Sequence, residues 1–168
     1  MFEHLVYSRA YGIRATVLRL SNVFGPRATI NSPEFTFNNY FVGLALQNKN
    51  ITVYGDGKQK RNTIYVDDAV EAIVQASMND HGIGKTFFAV GDEHHSVAQI
   101  AESTVKYIGS GKVTYVPWPL ERKAIDIGDA VISNMKFKEI FSFAPKINLQ
   151  SGLKMTAQYY KTCIEKYL

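Results

Sequence analysis

At 168 residues, with 46% hydrophobic and 12% aromatic side chains, the chain is long enough to bury one core and is expected to form a single domain, at most with a small appendage. A charged fraction of 20% and a net charge of +4 exclude the charge-rich, apolar-poor signature of disorder, and the longest apolar run, 40–46, is too short to span a bilayer. The absence of a leader pattern and the lone Cys163, which rules out an intrachain disulfide, point to a reducing cytoplasm, while a pI of about 9.1 suits an anionic ligand even though the basic residues are scattered.

Residues 1–11 carry Met1, Phe2, Leu5, Val6 and Arg9/Ala10 at helical spacing, with Gly12 placed as a left-handed C-terminal cap. No Ser, Thr, Asp or Asn stands ahead of the pattern, so it reads either as the tail of a longer helix or as a frayed N-terminal one. Arg14 to Leu20 is rich in β-branched and apolar residues and reads as a buried strand, followed by a loop over Ser21 to Pro26. Phe35 to Gln47 is expected to be a helix. Ile51 to Tyr54 and Thr63 to Val66 read as the two strands of a hairpin around the turn Gly55-Asp56-Gly57.

A helix with Asp67 or Asp68 as its cap and Glu71 closing a capping box should follow, burying Val70, Ile73, Val74, Ser77 and Met78 on one face. Thr86 to Val90 is a strand. Ser96-Val97-Ala98-Gln99 is a second capping box, opening a helix with Val97, Ile100, Ala101, Val105 and Ile108 inward, and the preceding His94 and His95 read as a solvated loop. Val113 to Val116 is a strand ending at Pro117. Ser133 to Phe141 is a short helix halted before Pro145, and Leu153, Ala157, Tyr160, Ile164 and Tyr167 form the stripe of a C-terminal helix. Strands alternating with helices predict an α/β fold with some parallel pairing.

No glycine-rich dinucleotide loop is complete, because Gly55-Asp56-Gly57 continues with Lys58 and Gln59, and no P-loop is present. The histidines and Cys163 have no zinc spacing, so no metal is expected, and Cys163 reads as a small packed residue. Candidate chemistry therefore rests on polar residues at loops and strand edges, where ligands of open α/β sheets bind. Asn22 follows a strand and can donate to a phosphate or a sugar hydroxyl, or simply form a turn. Arg61 and Arg122 carry forks that match phosphate oxygens in pairs, or are surface arginines.

Three segments resemble one family. Arg19-Leu20-Ser21-Asn22-Val23-Phe24-Gly25-Pro26-Arg27 is similar to the R-x-x-N-V-Y/F-G-P-R segment of extended short-chain dehydrogenase/reductases, the NAD-dependent nucleotide-sugar epimerases, dehydratases and decarboxylases. Val53 to Asp68 resembles their V-Y-G-x-G-x-Q-x-R-D-F-x-Y-V-D-D segment, and Arg122 to Asp129 resembles a late segment of one epimerase-like branch. Ile140 to Pro145 and the helix at Gly152-Leu153 follow in the family's order.

The resemblance implies a Rossmann-like α/β fold of which this chain is the C-terminal part. That part would be mainly the small substrate-binding domain, with the last strands and helices of the cofactor domain, and residues 1–168 would form one such portion. It implies that backbone at Leu20, Ser21 and Val23 lines the nicotinamide end of NAD. Asn22, and less directly Arg27, would contact the sugar or diphosphate. Thr52, Val53 and Tyr54 would flank the base, and Arg61 and Arg122 would clamp the diphosphate. It places the catalytic Tyr-x-x-x-Lys and the glycine-rich NAD loop upstream of Met1, since Tyr7 and Tyr11 are not followed by Lys four residues on. No catalytic residue is therefore assigned, and the chain alone is expected neither to bind NAD nor to turn over.

The implied complete enzyme is a UDP- or dTDP-sugar 4-epimerase acting through transient oxidation at C4, with a 4,6-dehydratase or a UDP-glucuronate decarboxylase as alternatives. A non-catalytic nucleotide-sugar-binding module is the alternative of another class. The implied partner is a nucleotide diphosphate-sugar, with no nucleic acid or membrane, and a homodimer for the complete enzyme. Three positions depart from the family pattern. Asn62 stands for the usual Asp, Ser142 for the usual Gly at a turn, and Ala130-Val131-Ile132 for a more polar run.

Overall fold

The computed structural model describes residues 2–34 and 36–168, so Met1 and Phe35, the expected starts of the first two helices, lie outside the described residues. In chain order the helices are α1 (Phe2–Tyr11), α2 (Phe37–Leu46), α3 (Val66–Ser77), α4 (Val97–Ile108), α5 (Leu120–Ala124), α6 (Met135–Phe141) and α7 (Leu149–Lys161). The strands are β1 (Val17–Leu20), β2 (Asn22–Phe24), β3 (Asn50–Tyr54), β4 (Lys60–Tyr65), β5 (Thr86–Ala89), β6 (His94–Ser96) and β7 (Lys112–Val116). β2 falls inside the expected loop after β1, and β6 replaces the expected solvated loop at the histidines.

Three parallel pairings organise the chain. β1 runs beside β5, with Val17 opposite Thr86; β2 beside β4, with Asn22 opposite Thr63; and β3 beside β7, with Asn50 opposite Lys112. β6 adds an antiparallel edge to β4, with Arg61 opposite His95. Parallel partners need long crossovers, which the helices supply. The expected β3–β4 hairpin does not form. Its glycine turn is present, with Gly55 and Gly57 both at φ 63°, but it sends the two strands into different sheets. The reason lies in β4, where Asn62 to Tyr65 are buried consecutively, the pattern of a strand covered on both faces rather than of a hairpin edge.

The α3 expectations also need correction. Tyr65 precedes the helix without a side-chain cap, and Asp68 instead accepts the backbone N–H groups of Lys146 at 3.0 Å and Ile147 at 2.9 Å. The buried face is Ala69, Ala72 and Ala76, while Val70, Ile73, Val74 and Met78 point outward with 43% to 82% exposure. Small side chains win the inner face because they let the helix approach Ile64, Phe87, Phe137 and Phe141, whose rings already fill that space.

The other helices follow their patterns. In α4 the Ser96 hydroxyl accepts from Gln99 N–H at 3.0 Å and the Gln99 side chain accepts from Ser96 N–H at 2.8 Å, and the helix stops at Gly109 with φ 85°. Ile100, Ala101 and Ile108 are buried, as expected. In α7, Leu153, Ala157 and Tyr160 are buried, but the helix ends at Lys161, and a further turn at Ile164–Lys166 folds Tyr167 back so that its ring centroid lies 5.0 Å from that of Tyr160. The Tyr160 hydroxyl donates to Ala28 O at 2.6 Å, and burial pushes its pKa well above the ordinary phenol range. Cys163 packs half-buried with its thiol on Tyr159 O.

Ser142 ends α6 at φ 52° and ψ 30°, the left-handed cap that its place in the sequence anticipated. The larger core joins Ile51 and Val53 of β3 to α2, α4 and α7, with Phe24, Val42, Ile100 and Leu153 at its centre. Burying those two residues turns Asn50, Thr52 and Tyr54 to the opposite face of β3, because strand side chains alternate.

Candidate functional site

A cleft of about 560 Å³ opens on that outer face of β3. Asn50, Thr52 and Tyr54 form its floor, and α2 supplies Phe37, Tyr40 and Leu44 as an apolar wall. The facing wall is a strap, residues 117–132, that leaves β7 at Pro117 and crosses back to β4. It contributes Trp118, Arg122, Ile125 and Asp126.

The strap is held at both ends. At one end the Trp118 ring packs on Tyr54, with centroids 5.4 Å apart. At the other, Asp129 accepts from Lys60 N–H at 2.7 Å, Ala130 N–H donates to Lys60 O at 2.9 Å, and Ile132 N–H donates to the Asn62 side-chain oxygen at 2.7 Å. Between them α5 buries no residue, and Arg122 is exposed to the cleft. No hydrogen-bond or ion-pair partner for the Arg122 guanidinium occurs among the described residues.

The structure brings together Thr52, Val53, Tyr54 and Arg122 of the expected site. Arg61 stands behind the strap: its guanidinium donates to Gly128 O and Lys60 O and lies 3.5 Å from the Asp126 carboxylate, with 16% of the side chain exposed. Asn22 is a strand residue whose amide donates to Asn62 O at 3.1 Å. Arg27 is exposed at φ 67° and is not among the residues lining the cleft. At the carboxyl end of β1, Leu20 is 39% exposed, the Ser21 hydroxyl is buried without a partner, and Val23 packs on the smaller core.

Asn62, the departure from the family's aspartate, is fully enclosed. It donates to Gly91 O at 3.2 Å and accepts from Ile132 N–H, a donor-and-acceptor task that a carboxylate cannot perform. The spacing Tyr-x-x-x-Lys does occur once, at Tyr54 and Lys58. It spans a strand end and a turn, and Lys58 is exposed and paired with Asp56 at 2.8 Å, so the two side chains do not share a helix face. Trp118, Phe37, Tyr40 and Asp126 were not singled out by sequence reasoning. The one signal available was that Trp118 is the chain's sole tryptophan, placed just after a strand that ends at proline.

In open α/β folds such as this one, ligands bind in crevices beyond the ends of the parallel strands. A profile of the NAD dependent epimerase/dehydratase family matches residues 1–91, more than half of the chain, and the chain belongs to that family. A UDP-N-acetyl-alpha-D-glucosaminuronate decarboxylase of Bacillus cytotoxicus is 33% identical over 156 residues, covering 89% of this chain and 47% of the relative.

Among solved structures, a UDP-glucose 4-epimerase of Thermotoga maritima with UDP-glucose superposes with a TM-score of 0.84 at 28% identity, covering 95% of this chain and 50% of that one. An epimerase of Methanothermobacter thermautotrophicus shares the fold with a TM-score of 0.90 at 19% identity, covering 99% of this chain and 48% of that one. The chain spans about half the length of these relatives, and they confirm the Rossmann-like α/β class.

Proposed function

We propose that the cleft binds the nucleotide diphosphate of a nucleotide-sugar, and that the complete enzyme is an NAD-dependent UDP- or dTDP-sugar 4-epimerase. The carrying observation is Arg122, unpaired and facing a cleft whose floor is Thr52 and Tyr54. A diphosphate carries about two negative charges near neutral pH and accepts charge-assisted, bidentate bonds from guanidinium groups. Arg61 is the second arm, reached by exchanging the Asp126 carboxylate for phosphate oxygen. Asn22 and Arg27 belong to the sugar side of the same reading.

Leu20, Ser21 and Val23 suit the nicotinamide end of NAD: the buried Ser21 hydroxyl lacks a partner and Leu20 offers exposed apolar surface at the strand end. Held there in the complete enzyme, NAD would supply a reversible hydride acceptor for C4 of the sugar. The residues of this chain hold the nucleotide at a distance from the reacting carbon, and that positioning governs the rate. The complete enzyme carries an N-terminal NAD-binding portion as well, and the whole works as a cytoplasmic homodimer. No helix among the described residues is long and apolar enough to cross a membrane.

A decarboxylase reading is favoured by the 33% identity to the Bacillus cytotoxicus enzyme. Calorimetry of the chain against UDP-glucose, UDP-glucuronate and dTDP-glucose tests the site and separates the sugars. Arg122→Ala should weaken binding by about 1.5–3 kcal/mol, the range for hydrogen bonds to charged groups. Affinity unchanged by both Arg122→Ala and Arg61→Ala would remove the assignment.

A further inference from the structure

We infer that Trp118 is the surface on which the nucleobase stacks, and that Gly55 is glycine in order to seat it. The inference rests on the nucleotide reading of the cleft and goes beyond it in naming the residue that recognises the base. Trp118 lies at the β7 end of the strap, half-buried, with its ring tilted 40° to that of Tyr54. A Cβ on Gly55 would stand 2.5 Å from the indole Nε1 and 2.7 Å from Cδ1, so any side chain there displaces the ring. The positive φ of 63° at Gly55 gives a second reason for glycine, since L side chains rarely adopt it. The end of β3 is thus shaped around the indole.

The ring pair is a platform and not a slot. With centroids 5.4 Å apart, Tyr54 and Trp118 are in contact and leave no room for a flat base between them. The base rests on the side of the indole that faces the cleft, across from Phe37 and Tyr40. Arg122 follows four residues later on the same strap, within α5, and also lines the cleft. One short segment therefore offers an aromatic face and, next to it, a guanidinium. That is the order in which a nucleotide presents its base and its diphosphate. Stacking tolerates any base, because every base has a π-face. Trp118 therefore selects ligands that carry a base over those that carry phosphate alone.

Trp118 is the only tryptophan, so fluorescence excited selectively at tryptophan, beyond the absorption of the ten tyrosines, reports on this site alone. Titration with UDP and with UDP-glucose should quench it saturably, whereas pyrophosphate and glucose 1-phosphate should leave it unchanged. By calorimetry, Trp118→Ala should weaken UDP binding by about tenfold or more, with pyrophosphate binding unaltered and Trp118→Phe retaining most of the affinity. Thermal melting of each variant checks that the half-buried position leaves the fold intact. Gly55→Ala should shift the emission to the red as the indole is pushed into water, and should weaken UDP binding in parallel. UDP binding with unchanged affinity to Trp118→Ala, or quenching by pyrophosphate equal to that by UDP, overturns the stacking role and leaves the nucleotide site standing. Failure of UDP and UDP-glucose to bind the chain at all overturns both.

Discussion

Beneath β3 and β7, Ile51 and Val53 are sealed against α2, α4 and α7 by large apolar side chains. Across the molecule, β1 and β5 form an equally regular parallel pair, yet Arg19 and Leu20 are exposed there and α3 turns Val70, Ile73, Val74 and Met78 outward. α1 likewise exposes Val6, Tyr7 and Tyr11. A depression of about 440 Å³ on that open side lies between the β1 segment and α3, lined by Arg14, Leu18 and Ile73. The difference teaches what closes a parallel pair. Such sheets are ordinarily covered on both faces; here Phe87 and Ala89 of β5 are buried in the smaller core with the α3 alanines, while Arg19 and Leu20 of β1 stay exposed. α4 and α7 aim Ile100 and Leu153 inward, while α3 spends its inner face on alanines. The closed side is the one that shapes a ligand cleft, because a cleft wall must be rigid to hold a geometry.

Substitutions on the two sides should separate them. Leu153→Ala, in the closed core, should cost about 2–5 kcal/mol in urea unfolding, the range for a buried leucine that leaves a cavity. Val74→Ser on the open face of α3 should stay within roughly 0.5 kcal/mol, as surface changes do. An equally large loss at Val74 would show that the face is covered in solution and would break the comparison.

Asn62→Asp restores the family's usual residue and should nonetheless destabilise the chain by about 1–3 kcal/mol, because Gly91 O loses its donor and a buried carboxylate gains none. Chemical denaturation at neutral pH reads this directly, and a neutral result would mean that the strap finds another anchor. Ser142→Gly, at the junction of α6 with the smaller core, should raise stability by about 1 kcal/mol by relieving a left-handed serine. A fall in melting temperature would show that the serine side chain supports the turn.

Much of this architecture was legible. The capping box at Ser96 and Gln99, the stop at Gly109 and the inward stripe of α4 are local, and each was read from residues within a few positions of one another. The left-handed turn at Ser142 was marked by its departure from the family's usual glycine. The α3 face was misread because periodicity marks which residues share a face but not which face meets the core, and the neighbouring phenylalanines that favour alanine there come from distant segments. The capping role of Asp68 was lost for the same reason: backbone amides at positions 146 and 147 outcompete the helix's own. Of the site, Thr52, Val53, Tyr54 and Arg122 were named and are found in one cleft. Trp118 and the Arg61–Asp126 contact needed the strap's path to become visible.

The residues alone determined the alternation of strands and helices, the family motifs and their order, and the positions where chain direction must change, because propensity, capping and turn chemistry act over a few neighbours. Pairing partners, the outward turn of the α3 apolar face and the gathering of Tyr54, Trp118 and Arg122 around one cleft were decided only by the tertiary structure. A strand carries two usable edges and a helix two candidate faces. The choice between them is settled by long-range packing, with Phe137, Phe141 and Asn62 occupying the space that the local pattern left undecided.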